Sequence, residues 1–282
     1  MTTAKDIERA LFALAPRHYA EEWDNVGLLC GRREKEVRKI LVALDPFFSV
    51  CCEAAEIGAD MIVTHHPLIF HVPLSVTDGD GVGKCLLFLA RHDIAAANAH
   101  TNLDNAPGGV NDHLAQVLEL QHVTVLAPRG TDEQGREWGL LRAGETTVQS
   151  LSDFAAFVKD RLHCPGLRYV DGGKAVHKVA VGGGSCGEEA ETALRAGCDT
   201  LVTADVKYNQ FQNAVDCGLN LIDAGHFETE NPVCDVLASY LRKEFPAVDV
   251  VLSKAHRDSI QFLYKQVVFN NSVCYNELNF FT

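Results

Sequence analysis

Positive charge is in short supply in this 282-residue sequence. It has 25 Lys and Arg against 38 Asp and Glu, a formal net charge of −13 at pH 7 and a pI near 5.3. A dedicated nucleic-acid binder needs a basic footprint to meet phosphate, so that class is disfavoured, although a local basic pocket for a small phosphate stays open. No apolar run approaches the roughly 20 residues needed to cross a bilayer, which excludes a membrane-spanning role. The first residues, Met1-Thr-Thr-Ala-Lys-Asp6, lack the charged-then-apolar pattern of a secretory signal. The ten cysteines include no Cys-x-x-Cys pair. They are expected to be reduced thiols of a cytoplasmic protein, buried as small hydrophobes rather than used as metal ligands. No cysteine sits in an activated setting, and serine and cysteine hydrolases are disfavoured.

Hydrophobic residues make up 47% of the chain, enough for a sizeable core in one large domain or two ordinary ones. Lys5–Leu14 reads as an amphipathic helix. Lys39–Asp45 is a short buried strand, Val50–Ile57 a helix stopped by Gly58, and Asp60–Thr64 a second strand. The second half repeats this order. A strand starts at Lys178, Ser185 is a candidate cap for a helix over Glu188–Arg195, and Asp199–Thr203 is the next strand. Asp60-Met-Ile-Val-Thr64 matches Asp199-Thr-Leu-Val-Thr203 at an offset of 139 residues. Continuous apolar strands alternating with helices predict an α/β fold. The repetition predicts two similar lobes from an internal duplication, each a sheet covered by helices. The expected lobes are residues 1–125 and 178–282 of one structural unit. Residues 126–177 are an irregular middle segment packing on both, with a strand near Trp138–Gly144 and a helix over Leu151–Leu162. A strand-like stretch begins at Ser259, and the final residues are expected to be mobile or to serve a contact.

Three polar clusters end apolar runs. His65 and His66 follow the strand ending at Thr64. His100 and Asp104 follow Ile94–Ala99, and His226 and Glu230 follow Leu219–Gly225. Ligands of open α/β sheets bind beyond the carboxyl ends of strands, so these clusters are placed to converge in a cleft between the lobes. Adjacent strand residues point to opposite faces. His65 and His66 therefore lie in the turn before Pro67, or they serve two different ions that share carboxylates. Imidazole and carboxylate suit zinc, iron, manganese, cobalt or nickel without choosing among them. The remaining histidines, His256 among them, have no comparable setting and read as ordinary structural or surface residues. The glycine-rich turn Val181–Gly187 is not a P-loop, since no Gly-Lys-Ser/Thr follows, and its Gly182-x-Gly184-x-x-Gly187 spacing alone does not make a dinucleotide fingerprint. Its Gly183, Gly184, Ser185 and Gly187 either hold a phosphate at a helix start or pack helix on sheet.

Several stretches resemble the Nif-three-like family, dinuclear-metal proteins known as GTP cyclohydrolase 1 type 2 homologues. They are Glu22–Gly31, Ile62–Ile69, Asn98–Asp104, Val181–Gly187 and Asp223–Glu230, in the family's order over nearly the whole chain. The resemblance implies two divalent ions per chain in the cleft, held by His65, His66, Asp104, His226 and Glu230, with Glu230 bridging. It places His100 beside the site, as a supporting residue or an occasional ligand. It also implies a homo-oligomeric ring, commonly a hexamer built from dimers. The chain is too short for the inserted domain of longer members. One departure is Thr203-Ala-Asp205 followed by Tyr208-Asn209, where members often have Thr-Gly-Asp and then a His; a substrate contact through position 209 is thereby in doubt.

The resulting expectation is a metal-dependent hydrolase acting on a nucleotide-like small molecule, with His100 moving protons and Glu230 as a second candidate catalytic group. GTP is the substrate implied by the family, its imidazole carbon leaving as formate. The alternatives are a phosphoesterase, served by the same two-ion chemistry, and a non-catalytic metal-binding interaction or regulatory protein.

Overall fold

Strands of four or five residues cannot hold a sheet together unless both faces are covered, and here they are. A computed structural model of the chain describes residues 1–263 and the backbone of 267–269 and 272–274. The first sheet has the order Gly27–Cys30, Ala95–Asn98, Met61–Thr64, Lys39–Ala43, Asp249–Leu252. The last four strands run parallel, and the first is antiparallel to its neighbour. Alternate residues face opposite layers. Ile40, Val42, Met61 and Val63 pack with Ile7 and Leu11 of the helix Ala4–Leu14 and with Leu237 and Leu241 of Val233–Glu244. Leu41 and Ile62 pack instead with Val50 and Ala54 of Phe48–Glu56 and with Leu89 of Gly81–Arg91. Each fully buried aliphatic side chain contributes about 1.5–3 kcal/mol, which is why these strands are apolar at every position rather than at every second one.

The second sheet has the order Gln121–Leu126, Leu141–Gln149, Val176–Val181, Thr200–Thr203, Asn220–Asp223, Arg168–Val170. The strands from Val176, Thr200 and Asn220 are parallel, and antiparallel strands flank them. Val179, Val181, Val202 and Ile222 face Phe154 and Val158 of the helix Leu151–Arg161. Ala180, Leu201 and Leu221 face Ala193 and Ala214 of the helices Ala190–Arg195 and Tyr208–Cys217. The protein is thus an α/β fold with sheets flanked by helices.

The two sheets cut across the segments 1–125, 126–177 and 178–282. Strands from the middle segment complete the second sheet, and Asp249–Leu252 returns to the first by pairing with Lys39–Val42. Ser185 does not cap the following helix. It is exposed, and the chain enters through a 3-10 turn at Gly187–Glu189 because Cys186 N–H is drawn back to Thr203 Oγ1 at 3.0 Å. Residues 259–263 carry no strand, and Val267–Phe269 pairs antiparallel with Ser272–Cys274. The chain beyond residue 274 lies outside the described residues.

The sequence match at an offset of 139 residues has a counterpart in the bonding. Asp60 Oδ2 accepts the backbone N–H groups of Arg38 and Lys39, at 2.8 and 3.1 Å. Asp199 Oδ2 accepts those of His177 and Lys178, at 3.0 and 2.7 Å. Lys39 Nζ donates to Ile57 O as Lys178 Nζ donates to Ala196 O. Positions 139 residues apart make the same contacts at the start of a strand pair in each sheet, with Asp and Lys in both.

Candidate metal centre

The site is assembled where strands of both sheets end. His65 and His66 occupy the bend after Met61–Thr64, which is set by Thr64 Oγ1 donating to His66 O at 2.7 Å. The one-turn helix Thr101–Asn105 presents Asp104. Asp24 fixes its start, accepting from Thr101 N–H at 3.0 Å and from the Thr101 hydroxyl. From the second sheet, the helix His226–Glu230 opens on Gly225 at φ 90°, and its i,i+4 spacing puts His226 and Glu230 on one face. The bend at His65-His66 permits what a strand would forbid, two adjacent rings directed into one place, with centroids 5.0 Å apart.

Glu230 is the meeting point. Its Oε2 lies 2.9 Å from Nε2 of His66, 2.9 Å from Nε2 of His226 and 3.8 Å from Nε2 of His65. His65 Nε2 is 3.5 Å from Asp104 Oδ1, and the Nε2 atoms of His66 and His226 are 3.3 Å apart. Each ring is oriented through its other nitrogen. Nδ1 contacts Ala99 O at 2.9 Å in His65, Asp45 Oδ1 at 2.7 Å in His66, Asp24 Oδ1 at 2.8 Å in His100 and Asp205 Oδ2 at 2.7 Å in His226. These partners only accept, so each Nδ1 carries its proton. Every Nε2 is then the atom left to serve as a ligand, the arrangement that accompanies metal-bound histidine.

Charges follow from this packing. Burial pulls the fully enclosed His65 down to about 3, so it is neutral. Burial also acts against a charge on His66 and His226, but the carboxylates beside them prevail and raise them to about 10 and about 9. Burial and the nearby Glu230 charge push Asp104 well above the carboxylate range. Glu230 is pulled the other way. Its burial opposes ionisation, yet the His226 and His66 rings hold it well below that range. His65 Nε2, Asp104 Oδ1 and Glu230 Oε2 are buried and make no hydrogen bond; the two imidazoles nearest Oε2 are close but out of line. Unsatisfied buried polar atoms cost about 1–3 kcal/mol each. Three of them turned toward one another, all imidazole nitrogen or carboxylate oxygen, fit a divalent cation. Among the described residues, three groups could hold an ion: His65 with Asp104 and Glu230, His66 with His226 and Glu230, and His65 with His66 and His100.

All five residues expected as ligands therefore meet, and His100 stands with them. Two of the four residues considered above for a phosphate, Gly183 and Gly184, have their N–H groups taken. Gly183 N–H donates to Asn111 Oδ1 at 2.7 Å and Gly184 N–H to Thr229 Oγ1 at 3.1 Å, so neither is free for an anion. The turn packs against Glu230 and His226. Three carboxylates that orient these rings were missed from the sequence, Asp24, Asp45 and Asp205, and so was His256. Its Nε2 lies 2.9 Å from Asp45 Oδ2, behind the His66 contact. The usable signal for Asp45 and Asp205 was position, since each sits just past a strand end. His256 comes from a segment 211 residues away from Asp45 and had no local signal.

A cavity of about 650 Å³ opens onto His66, His100, Asp104, His226 and Glu230. A smaller one of about 220 Å³ reaches His66 and His226 beside Asp45 and Phe227.

The Duf34/NIF3 (NGG1p interacting factor 3) family model matches residues 2–259. The chain belongs to the NIF3 family. A GTP cyclohydrolase 1 type 2 homolog of Streptomyces coelicolor is 37% identical to it over 246 residues, 86% of this chain and 86% of the relative. One from Clostridium perfringens is 33% identical over 261 residues, 92% of this chain and 98% of the relative. The crystal structure of a Bacillus cereus protein related to NIF3 superposes with a TM-score of 0.86 at 27% identity, covering 93% of this chain and 99% of that one. The resemblance drawn from the motifs thus holds over nearly the whole chain, and with it the α/β fold. Among the described residues of this NIF3 member, no helix is long and apolar enough to cross a membrane.

Proposed function

We propose that this protein is a two-metal hydrolase acting on a nucleotide-like small molecule, with chemistry of the GTP cyclohydrolase 1 type 2 kind. The observation that carries the reading is the position of Glu230. It belongs to two separate potential ligand groups, one with His65 and Asp104 and one with His66 and His226. A carboxylate shared in this way would serve two adjacent ions. Held there, two divalent ions would supply Lewis acidity and a nucleophile generated from water near neutral pH.

The chain's own residues do the rest. Asp45 and Asp205 orient His66 and His226. Burial works against ionisation of Asp24, but its bonds to His100 and Thr101 lower it to about 2. An ionised Asp24 on Nδ1 lets His100 gain and release a proton at Nε2 toward the cavity. The relatives' shared name favours GTP as the first substrate to test. A hexameric ring belongs to the same proposal and is measured by the solution mass.

The test has two parts. Elemental analysis of protein purified without added metal should give about two ions per chain, and it identifies the metal. GTP turnover is then read as formate and as phosphate. Formate release supports ring opening, phosphate release makes the protein a phosphoesterase, and neither across a broad substrate panel makes it a non-catalytic metal protein. Loss of metal in Glu230→Ala with activity retained would sink the mechanism.

A further inference from the structure

Two large aromatic side chains stand exposed at the mouth of the 650 Å³ cavity. Trp23 is 60% exposed and Phe70 is 44% exposed. Their rings lie 5.6 Å apart, and each ring centroid is 6.2 Å from that of His100. Two adjoining exposed aromatic rings beside a cavity form the kind of apolar patch that marks a ligand-binding groove.

These side chains sit on loops that are tied down. Asn25 Nδ2 donates to Ile69 O at 2.7 Å, joining the loop of Trp23 to that of Phe70. Asp24, next to Trp23, binds both His100 and Thr101. Glu21 N–H donates to Thr101 Oγ1 at 3.0 Å. The wall is therefore pre-organised and referenced to the metal ligands through the helix that carries Asp104, which lowers the cost of binding on it.

The rest of the lining shows which end of a ligand goes where. Arg129 is already paired with Glu21 and Glu188 with Lys207, and Glu189 adds negative charge. An anionic group gains little from these walls. Its place is the cation site.

The geometry points to a two-ended ligand: an oxyanion held at the metal centre and a flat aromatic or heteroaromatic ring stacked on Trp23, with the Phe70 ring, inclined at 56° to Trp23, against its edge beside His100. This rests on the two-metal reading and adds the residues that recognise the ring. Base-on-aromatic stacking is sequence-tolerant and strong enough that losing one platform weakens binding about tenfold.

The chain has two tryptophans, and Trp138 stacks on Tyr19 at 4.4 Å away from this mouth. Trp138→Phe therefore leaves Trp23 as the reporter. The protein is loaded with zinc, which is spectroscopically silent, and its zinc content is measured. It is then titrated with guanosine, adenosine and uridine 5′-monophosphates and with ribose 5-phosphate. Saturable quenching by the ring-bearing compounds alone supports the inference, and their order shows whether the wall prefers one base. Calorimetry on otherwise native protein should show Trp23→Ala and Phe70→Ala each weakening nucleotide binding about tenfold at unchanged zinc content. Full zinc uptake with equal affinity for nucleotide and ribose 5-phosphate, or with both variants unaffected, overturns the stacking proposal alone. Failure to take up zinc or any other divalent ion overturns the metal reading and the two-ended ligand with it.

Discussion

A Cβ atom placed on Gly184 would fall 2.1 Å from Oε1 of Glu230 and 3.2 Å from Cε1 of His226. The residue at the apex of the glycine turn thus leaves room for the carboxylate at the centre of the site. Its φ of +62° adds a backbone reason for the same choice, since a side chain there costs about 1–2 kcal/mol. Gly184→Ala is expected to displace Glu230 and to lower metal content more than it lowers stability. Elemental analysis beside a urea unfolding curve separates the two effects. Retention of full metal content would show that Glu230 can move aside without consequence.

Asp45 joins His66 to His256, at 2.7 and 2.9 Å from its two oxygens. Burial opposes its charge, but the His256 and His66 contacts hold its carboxyl far below the usual range, so it stays ionised. Removing a group that orients a ligand typically costs about 10–100-fold in metal affinity. Asp45→Ala is expected to fall in that range by competition with a chelating dye. Asp205, which orients His226 but is about half exposed, should give a smaller loss. A larger effect at Asp205 would reverse the order argued from burial.

Much of this site was legible because strand ends and helix spacing are local properties. Lys39–Ala43, Met61–Thr64 and Thr200–Thr203 are buried runs, and His65, His66, Asp104, His226 and Glu230 follow strands of such sheets. The carboxylates behind the ligands were less legible. Asp205 lies at the repeat offset from His66, so the second half has an acid where the first has an imidazole, and its task is to orient His226. The return of Asp249–Leu252 to the first sheet was not legible at all. Its register with Lys39–Val42 is a non-local pairing that no neighbouring residue announces. The partners of the Gly183 and Gly184 N–H groups were not legible either, since Asn111 and Thr229 lie 72 and 45 residues away.

Asp60 and Asp199 offer a direct measure of how alike the two halves are. Each accepts two backbone N–H groups at the start of a parallel strand pair. Replacing either by Ala strips those donors of their acceptor, at a cost of about 1–3 kcal/mol. Asp60→Ala and Asp199→Ala are therefore expected to lower the urea midpoint by similar amounts, with metal content unchanged in both. A marked loss in one and none in the other would end the equivalence, whatever the sequence match.

Metal loading should release protons. In the metal-free protein His66 and His226 have pKa values raised to about 10 and about 9, above the ordinary value near 6.5. Groups raised in this way stabilise the metal-free fold fully below about pH 6.5, and that contribution is lost as pH rises through about 9 to 10. Both Nε2 atoms carry protons at pH 7, and a cation must displace them before it can bind. Asp104, also raised by its burial and by Glu230, contributes in the same direction. His65, lowered to about 3, is already neutral and contributes nothing. The apparent affinity for a divalent ion should therefore climb steadily between about pH 6 and 9. Calorimetric titration of metal-stripped protein at pH 7, in two buffers of different ionisation enthalpy, counts the protons. The expected result is about two or more per chain, falling in His226→Ala. Heats identical in the two buffers would mean that these imidazoles are neutral before the metal arrives, and that the acidic surroundings of Glu230 do not control the site.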